Sequence, residues 1–323
     1  MKKVTILAIH KTIATTVMGP MDIFFQAGQL WNHINGIPMM PYFDVEIVST
    51  DGRPVKCLND AAIVPHRSMT QVDQTDLIVI PSITDIEKTI EHNAASLEWL
   101  KYQYDRGAHI ASICTGAFFL AETGLLDGKT ATTHWGFVDD FRRRYPRVHL
   151  KPDRLITDEG TLYCAGALGA GVDLSIYLVE KYCGHEVAMQ CSKALIYDMG
   201  RNSQAPYSVF RFHKDHQDEA VGNSQKWIEA HYTEDLDMSR VARMHGMSRR
   251  TFERRFKKAT GDTPLLYVQR MRIEAAKRRL EKDGKTFDEI SYHVGYENSS
   301  HFRELFKKHT GLLPTEYQKK FRQ

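Results

Sequence analysis

Cysteine is scarce in these 323 residues, and what there is does not pair up. Cys57, Cys114, Cys164, Cys183 and Cys191 are an odd number with no C-x-x-C spacing, which argues against a disulfide framework or a thiolate zinc site and suits a reducing cytoplasm. Long apolar runs are missing as well. Met1-Lys2-Lys3 is followed by only Val4 to Ile9 before His10 and Lys11, too short for a signal peptide or a membrane span. No cofactor is expected, and no metal. His213 and His216 stand three apart among acids, but no further ligands cluster there. A large net charge is also lacking, at +3 overall, although that average hides a split. Residues 221–323 carry 22 Lys plus Arg against 14 Asp plus Glu, a net of +8, while the first 220 residues carry 21 against 26, a net of −5. The basic surplus sits at one end, as an electrostatic footprint for nucleic acid would.

The chain contains one stretch written twice. Phe252, Phe256, Lys257, Lys258, Thr260, Gly261, Pro264 and Tyr267 recur fifty residues later as Phe302, Phe306, Lys307, Lys308, Thr310, Gly311, Pro314 and Tyr317. Identity at a fixed offset is the signature of a duplicated supersecondary unit. Each copy reads as helix, tight turn, helix. Asp237 caps a first helix carrying Val241, Ala242 and Met244, Gly246 ends it, and Ser248 starts the next at about 248–259. In the second copy Thr286 and Glu289 form a capping box, Ile290 and Val294 supply the buried stripe, Gly295 stops the helix, and Asn298 or Ser299 opens the next. The i, i+4 pairs Phe252/Phe256 and Phe302/Phe306 turn one face of each second helix inward. The other face shows Arg249, Arg250, Arg254, Arg255, Lys257 and Lys258 in one copy and Ser300, His301, Arg303, Lys307 and Lys308 in the other. A helix-turn-helix puts the start of its second helix into the major groove and holds phosphates with cations around it.

Met247-Ser248-x-Arg250-x-Phe252-x-Arg254-x-Phe256, Gly261-x-x-Pro264-x-x-Tyr267, Arg272, Ala276 and Gly295-Tyr296 followed by the second copy resemble the AraC/XylS family of bacterial transcription regulators. The resemblance covers about the last hundred residues. It implies two helix-turn-helix subdomains joined by a long helix at 264–281, both reading adjacent major-groove segments, and it favours activation. On this reading Arg249, Arg250, Ser300, His301 and Arg303 face bases, Arg254, Lys257, Lys258, Lys307 and Lys308 favour phosphates, and Ser248 and Ser299 lie at the helix starts.

The first two hundred residues alternate strands and helices. Runs at 4–9, 45–49, 77–80 and 109–113 read as buried strands, and 20–30, 94–105, 115–123, 135–145 and 170–182 as helices, giving an α/β sandwich of flavodoxin-like kind with a mostly parallel sheet. Ligands collect at the carboxyl ends of such strands. Ala111-Ser-Ile-Cys114-Thr-Gly-Ala-Phe lies at such an end and has the form of a nucleophile elbow, which sets Cys114 at a helix start where the dipole favours a thiolate.

Ile113-Cys114-Thr115-Gly116-Ala117, Leu120-Ala121-x-x-Gly124-Leu125-Leu126-Asp127-Gly128-Lys129 and Thr132-Thr133-His134-Trp135 resemble the class I glutamine-amidotransferase-like superfamily in its ThiJ/PfpI branch, over roughly 1–198. The match is best with the sub-branch fused to an AraC-type domain, the GlxA family of regulators. Three departures bear on catalysis: Thr115 stands where protease-like members carry His, no acid occurs within 14–18, and Ser82-Ile83 replaces a Gly-Gly pair. The resemblance implies a small nitrogen compound as effector, an amino acid or betaine-like amine, and a homodimer through the N-terminal domain is expected. Asp22, Cys114, Thr115, His134 and Trp135 are the candidate ligand contacts, with Trp135 available to stack on a cation. The expected organisation is a sensing and dimerisation domain at 1–198, a linker at 199–220 and a DNA-binding domain at 221–323. Two readings compete with a sensor: a cysteine-dependent amidase or aldehyde-processing hydrolase using Cys114 and His134, and a dimerisation domain without a ligand.

Overall fold

The computed structural model describes residues 1–282 and 284–322, so Gln323, the last residue of the expected DNA-binding domain, lies outside the described residues. The chain divides into two compact units, Met1–Gln204 and Ala205–Gln323.

The first unit is built on a seven-stranded sheet. Its order is Ile156–Asp158, Leu162–Ala165, His109–Ile113, Leu77–Ile80, Lys2–Leu7, Phe43–Ser49 and Arg67–Ser68. All neighbours are parallel except Ile156–Asp158 against Leu162–Ala165. Side chains alternate between faces. Val4, Ile6, Leu77, Val79, Ala111 and Ile113 join a core with Val17 and Phe24 of the helix Thr15–Gln26, Leu174 and Leu178 of Ala170–Cys183, and Ala188 of His185–Ala194. Leu7, Ile78, Ile80 and Ile110 join the opposite core with Leu100 of Ala94–Asp105, Phe118 and Phe119 of Gly116–Glu122, and Phe141 of Val138–Arg144. Helices therefore cover both faces, which is why the central strands are apolar throughout.

The strands and helices expected at 77–80, 94–105 and 109–113 occupy those residues. The first helix starts at Thr15 rather than residue 20. Pro20 lies in its second turn, where the bond it cannot donate would have gone to the carbonyl of Thr16. The strands at 67–68, 156–158 and 162–165 and the helices at 30–34, 86–92 and 185–194 were not anticipated.

The second unit is helical. Glu219–His231, Met238–Met244 and Arg249–Thr260 surround a core of Val221, Ile228, Met238, Val241, Phe252, Phe256, Tyr267 and Val268; Phe287–His293, Ser299–Thr310 and Pro314–Phe321 surround a second core of Ile273, Ala276, Leu280, Ile290, Val294, Phe302, Phe306 and Tyr317. The helix Pro264–Lys282 serves both, giving Tyr267 and Val268 to the first core and Ile273, Ala276 and Leu280 to the second.

Residues 199–220, expected as a polar linker, are largely built into the two units. Gln204 is 1% exposed in the first unit. Phe210 and Phe212 meet edge-on at 4.6 Å, Phe212 packs on Tyr267 at 4.9 Å, and Asp218 caps Glu219–His231 while bridging Arg255 at 2.6 Å. The histidines and acids of this stretch masked two core aromatics. His216 accepts the amide N–H of Asp218 and bonds Gln225 at 2.7 Å, a local role.

Candidate functional site

The duplication extends to single hydrogen bonds. Ser248 accepts the amide N–H of Thr251 and Asn298 accepts that of His301, so each exposed basic helix starts on a side-chain cap. Asn298, rather than Ser299, is the cap of the second. Each helix ends on a left-handed glycine, Gly261 at φ +83 and Gly311 at φ +74. Thr260 bonds the carbonyls of Phe256 and Asp262, and Thr310 those of Phe306 and Leu312. Tyr267 donates to Glu229 at 2.8 Å and Tyr317 to Glu281 at 2.7 Å. The long helix thus does for the second copy what Glu219–His231 does for the first.

The outward faces carry the expected cations. Arg249, Arg250, Arg254, Lys257, Lys258, His301, Arg303, Lys307 and Lys308 are exposed, with Ser248 and Ser300 beside them and Ser299 partly buried. Arg249 is held by Glu253 at 2.9 Å, and Arg303 lies 3.5 Å from Asp288 and over the ring of Phe287. Arg255 leaves this set, since Asp218 holds it from two nitrogens. Met244, expected as core, is 49% exposed, and Met238 is buried instead.

One arginine whose role the motif alone did not convey ties the copies together. Arg272, on the long helix, donates to the carbonyls of Tyr232, Glu234 and Gly295 at 2.7, 2.7 and 2.9 Å and lies 4.9 Å from the ring centroid of Tyr296. Gly295 has φ +89, and a Cβ there would meet the carbonyl oxygen of Thr233 at 2.4 Å. Two turns therefore converge on one guanidinium.

In the α/β unit, Cys114 follows the strand His109–Ile113 with φ +57, an unusual backbone for a residue with a side chain. Its N–H bonds the carbonyl of Ala165 at 2.8 Å, and its carbonyl accepts the hydroxyl of Thr133 at 2.9 Å. Gly116 has no room for a Cβ, which would stand 2.5 Å from the carbonyl oxygen of Pro81. The crevice at the strand ends is filled by the chain's own hydroxyls. Thr16 accepts the N–H of Ser82 at 3.1 Å and Thr115 accepts that of Ile83 at 3.0 Å, while Thr115 also meets Ser82 at 2.8 Å and Thr12 bonds the Ser82 carbonyl at 2.7 Å. The two backbone donors that an oxyanion site would need are both taken. Cys114 is 4% exposed, and burial raises its thiol above the ordinary value, outweighing the opposite pull of the Ser82 and Thr115 hydrogen bonds.

His134 accepts the N–H of Gly136 at Nδ1, 3.0 Å away, and its ring tilts against Trp135 at 5.1 Å. In the neutral ring that acceptor role leaves the proton on Nε2, the wrong tautomer for a base acting through that atom. Asp22 does not join this group. The helix begins seven residues earlier than Asp22, which puts it on the exposed face while Ile23 and Phe24 turn inward. The structure brings Cys114, Thr115 and the 132–135 loop together through Thr133 and leaves Asp22 outside.

Gln204 was missed altogether. Its side-chain amide donates to the Thr133 carbonyl at 2.8 Å and to the Thr132 hydroxyl and Arg154 carbonyl at 3.2 Å, and its oxygen accepts the N–H of Trp135 at 3.1 Å. No short-range pattern marks a glutamine that binds a loop seventy residues upstream. A cleft of about 410 Å³ opens beside this region, lined by residues 83–88, Phe137, Asp140 and Arg144. None of the five residues singled out from the sequence lines it.

Residues 241–320 match a helix-turn-helix domain and residues 2–181 match the DJ-1/PfpI family. Among known proteins, the HTH-type transcriptional regulator GbdR of Pseudomonas aeruginosa is 24% identical over 274 residues, 83% of this chain and 72% of that one. The HTH-type transcriptional regulator GlxA of Rhizobium meliloti is 27% identical over 205 residues, 62% of each chain. The crystal structure of an AraC family transcriptional regulator from Pseudomonas putida aligns over 60% of this chain and 100% of that one, with a TM-score of 0.52 at 18% identity, a likeness of fold. With more than half of its length matched, the chain belongs to the DJ-1/PfpI family, in the form that carries an AraC-type helix-turn-helix domain behind the α/β domain.

Proposed function

We propose that the chain is a sequence-specific DNA-binding transcriptional regulator whose α/β unit senses a small metabolite and does not turn it over. The observation that carries this reading is the pair of capped, exposed basic helices, Arg249–Thr260 and Ser299–Thr310, on one shared helix. Two reading helices suit successive major-groove segments about one helical turn, roughly 34 Å, apart. The regulators GbdR, similar over 274 residues, and GlxA, similar over 205, support it.

Against turnover stand the buried thiol, the occupied N–H groups of Ser82 and Ile83, and the tautomer of His134. The sensor reading takes an amino acid or betaine-like amine as effector. The cleft bordered by Ile83 and Phe137 is its way in, with Arg144 for a carboxylate and Glu87 and Asp140 for an ammonium group. The α/β unit makes the homodimer, and a metabolite acts by binding one DNA-bound arrangement better than the other.

The test is selection of bound fragments from genomic DNA by the full chain, followed by affinity measurements on the recovered site against salt and against a metabolite panel. A recovered site bound more tightly than random DNA, with an affinity that one unaltered metabolite changes, is the expected result. Equal affinity for all DNA, or consumption of the metabolite in a Cys114-dependent manner, overturns it.

A further inference from the structure

The α/β unit has a second cleft, of about 320 Å³, lined by Ile156, Ile176 and Met199 and by Asp173, Tyr177, Glu180, Tyr197 and Arg201. Its volume is at the lower end of small-molecule sites, about 300–1,000 Å³. Its chemistry is that of a cation receptor. The Asp173 side chain, on the helix Ala170–Cys183, is only 6% exposed, and it receives Arg201 from Nε at 3.1 Å and from Nη2 at 2.5 Å. A carboxylate buried to this degree needs a cation beside it. Arg201 also lies 5.6 Å from the ring centroid of Tyr197, within cation–π range. Glu180, paired with His185 at 2.8 Å, adds a second carboxylate to the lining.

The cation that fills this role comes from the segment that closes the unit, where the Gly169 carbonyl and the Tyr197 hydroxyl also accept from it. Arg201 itself is 39% exposed. The stretch ahead of it turns through Ile196 at φ +53, a backbone that a β-branched residue resists, with the side chain 94% exposed, and then through Gly200 at φ +111. The residues after it form a strap. The Leu155 N–H bonds the Asn202 carbonyl at 3.1 Å, Ser203 donates to the Asp153 carbonyl at 2.8 Å, and Gln204 enters the 132–135 loop.

We propose that this cleft is a binding site for a small organic cation, an alkylammonium or guanidinium compound, which takes the place of the Arg201 guanidinium against Asp173 and Tyr197 and loosens the 197–204 strap. The site is separate from the crevice at Cys114 and goes beyond the sensor reading. Until displaced, Arg201 acts as a tethered competitor, so the apparent affinity of an external cation is reduced by the fraction of time that Arg201 is seated.

The probe is tetramethylammonium chloride, with sodium chloride at equal concentration as control, on the full chain. Trypsin cuts after Arg201 only when that side chain leaves Asp173, and the other tryptic sites provide an internal reference for trypsin activity. Tetramethylammonium is expected to accelerate cleavage of the Arg201–Asn202 bond several-fold over sodium, and Arg201→Ala to bind the probe roughly tenfold more tightly in a thermal-shift titration. Asp173→Asn is expected to be cut quickly without the probe and to ignore it. Should that variant not fold, Tyr197→Leu, which keeps the carboxylate, must weaken the probe's effect. Identical cleavage and melting in the two salts overturns the proposal, as does a response that survives Asp173→Asn. Either outcome leaves the DNA-binding reading intact, because that reading fails only through loss of site-specific DNA binding.

Discussion

Cys114 shows what separates an elbow from a nucleophile. The backbone turn is there at φ +57, but a reactive thiol also needs a lowered pKa, a base and free oxyanion donors. Burial raises Cys114, and it pushes Cys183 and Cys191 up to about 11. Folding therefore strengthens the hold on these protons. The stability they contribute is complete below the ordinary thiol value and is lost as pH rises through the raised ones. Melts between pH 7.5 and 10.5 should show an alkaline decline starting near 9, the ordinary thiol value, and Cys114→Ala should make it shallower while Cys183 and Cys191 keep the rest. Alkylation of Cys114 by iodoacetamide at pH 7.5 should be roughly a hundredfold slower in the folded chain than in urea, since it waits on local opening. Fast labelling of Cys114 in the native protein would count against the buried-thiol account. The elbow was legible in the sequence because a strand, a sharp turn and Gly116 are all local. The closure of the crevice was not, because Thr12, Thr16, Ser82 and Thr115 come from three segments, each following a different strand, that strand order brings together. Asp22 misled for a related reason. A helix start displaced by five residues turns a pocket residue into a surface one.

At the scale of elements, the two basic helices were the most readable part of the chain, because caps, aromatic pairs and terminal glycines repeat at a fixed offset. Their division of labour is testable. Arg250→Ala should cost about 1–3 kcal/mol on the cognate site and little on random DNA. Lys258→Ala should weaken binding on all sequences and lower the salt slope by about one. Competition titrations on both DNAs at several salt concentrations separate the two, and equal losses everywhere for both variants would sink the assignment. Arg272 belongs to this scale too, since it fixes one subdomain's turn against the other's. Arg272→Ala leaves three carbonyls without their donor and should lower stability by about 2–4 kcal/mol in urea titrations. Arg272→Lys should recover little, because an ammonium group lacks the guanidinium's planar fork. Its place in the family pattern was visible, but its partners were not, lying at separations of 23 to 40 residues.

For the whole molecule, the alternation of strands and helices followed by a basic, repeated helical end was enough to draw two units. Where one stops was less legible, because a run of polar residues around 199–220 hides Gln204 on one side and Phe210 and Phe212 on the other. A fragment ending at residue 198 therefore loses part of its own first unit. Compared with 1–204, it should melt roughly 5–10 °C lower, from about 2–4 kcal/mol lost with the Gln204 hydrogen bonds and with the Arg201 partner of Asp173. Calorimetry on the two fragments measures this, and equal melting temperatures would show that residues 199–204 contribute nothing to the unit.

That boundary also sets a leash. Gln204 is anchored in the α/β unit and the helical unit begins at Ala205, so residues 197–204 are the last of the first unit before the chain enters the second. Were residues 197–204 let go, eight residues would join the tether and extend its reach by up to about 27 Å. That is close to the span of one turn of DNA, roughly 34 Å. In a dimer, reach decides the effective concentration of the second DNA-binding unit at its half-site once the first is seated. The bonds that hold residues 197–204, from Arg201 to Gln204, would thus govern operator spacing without altering either basic helix.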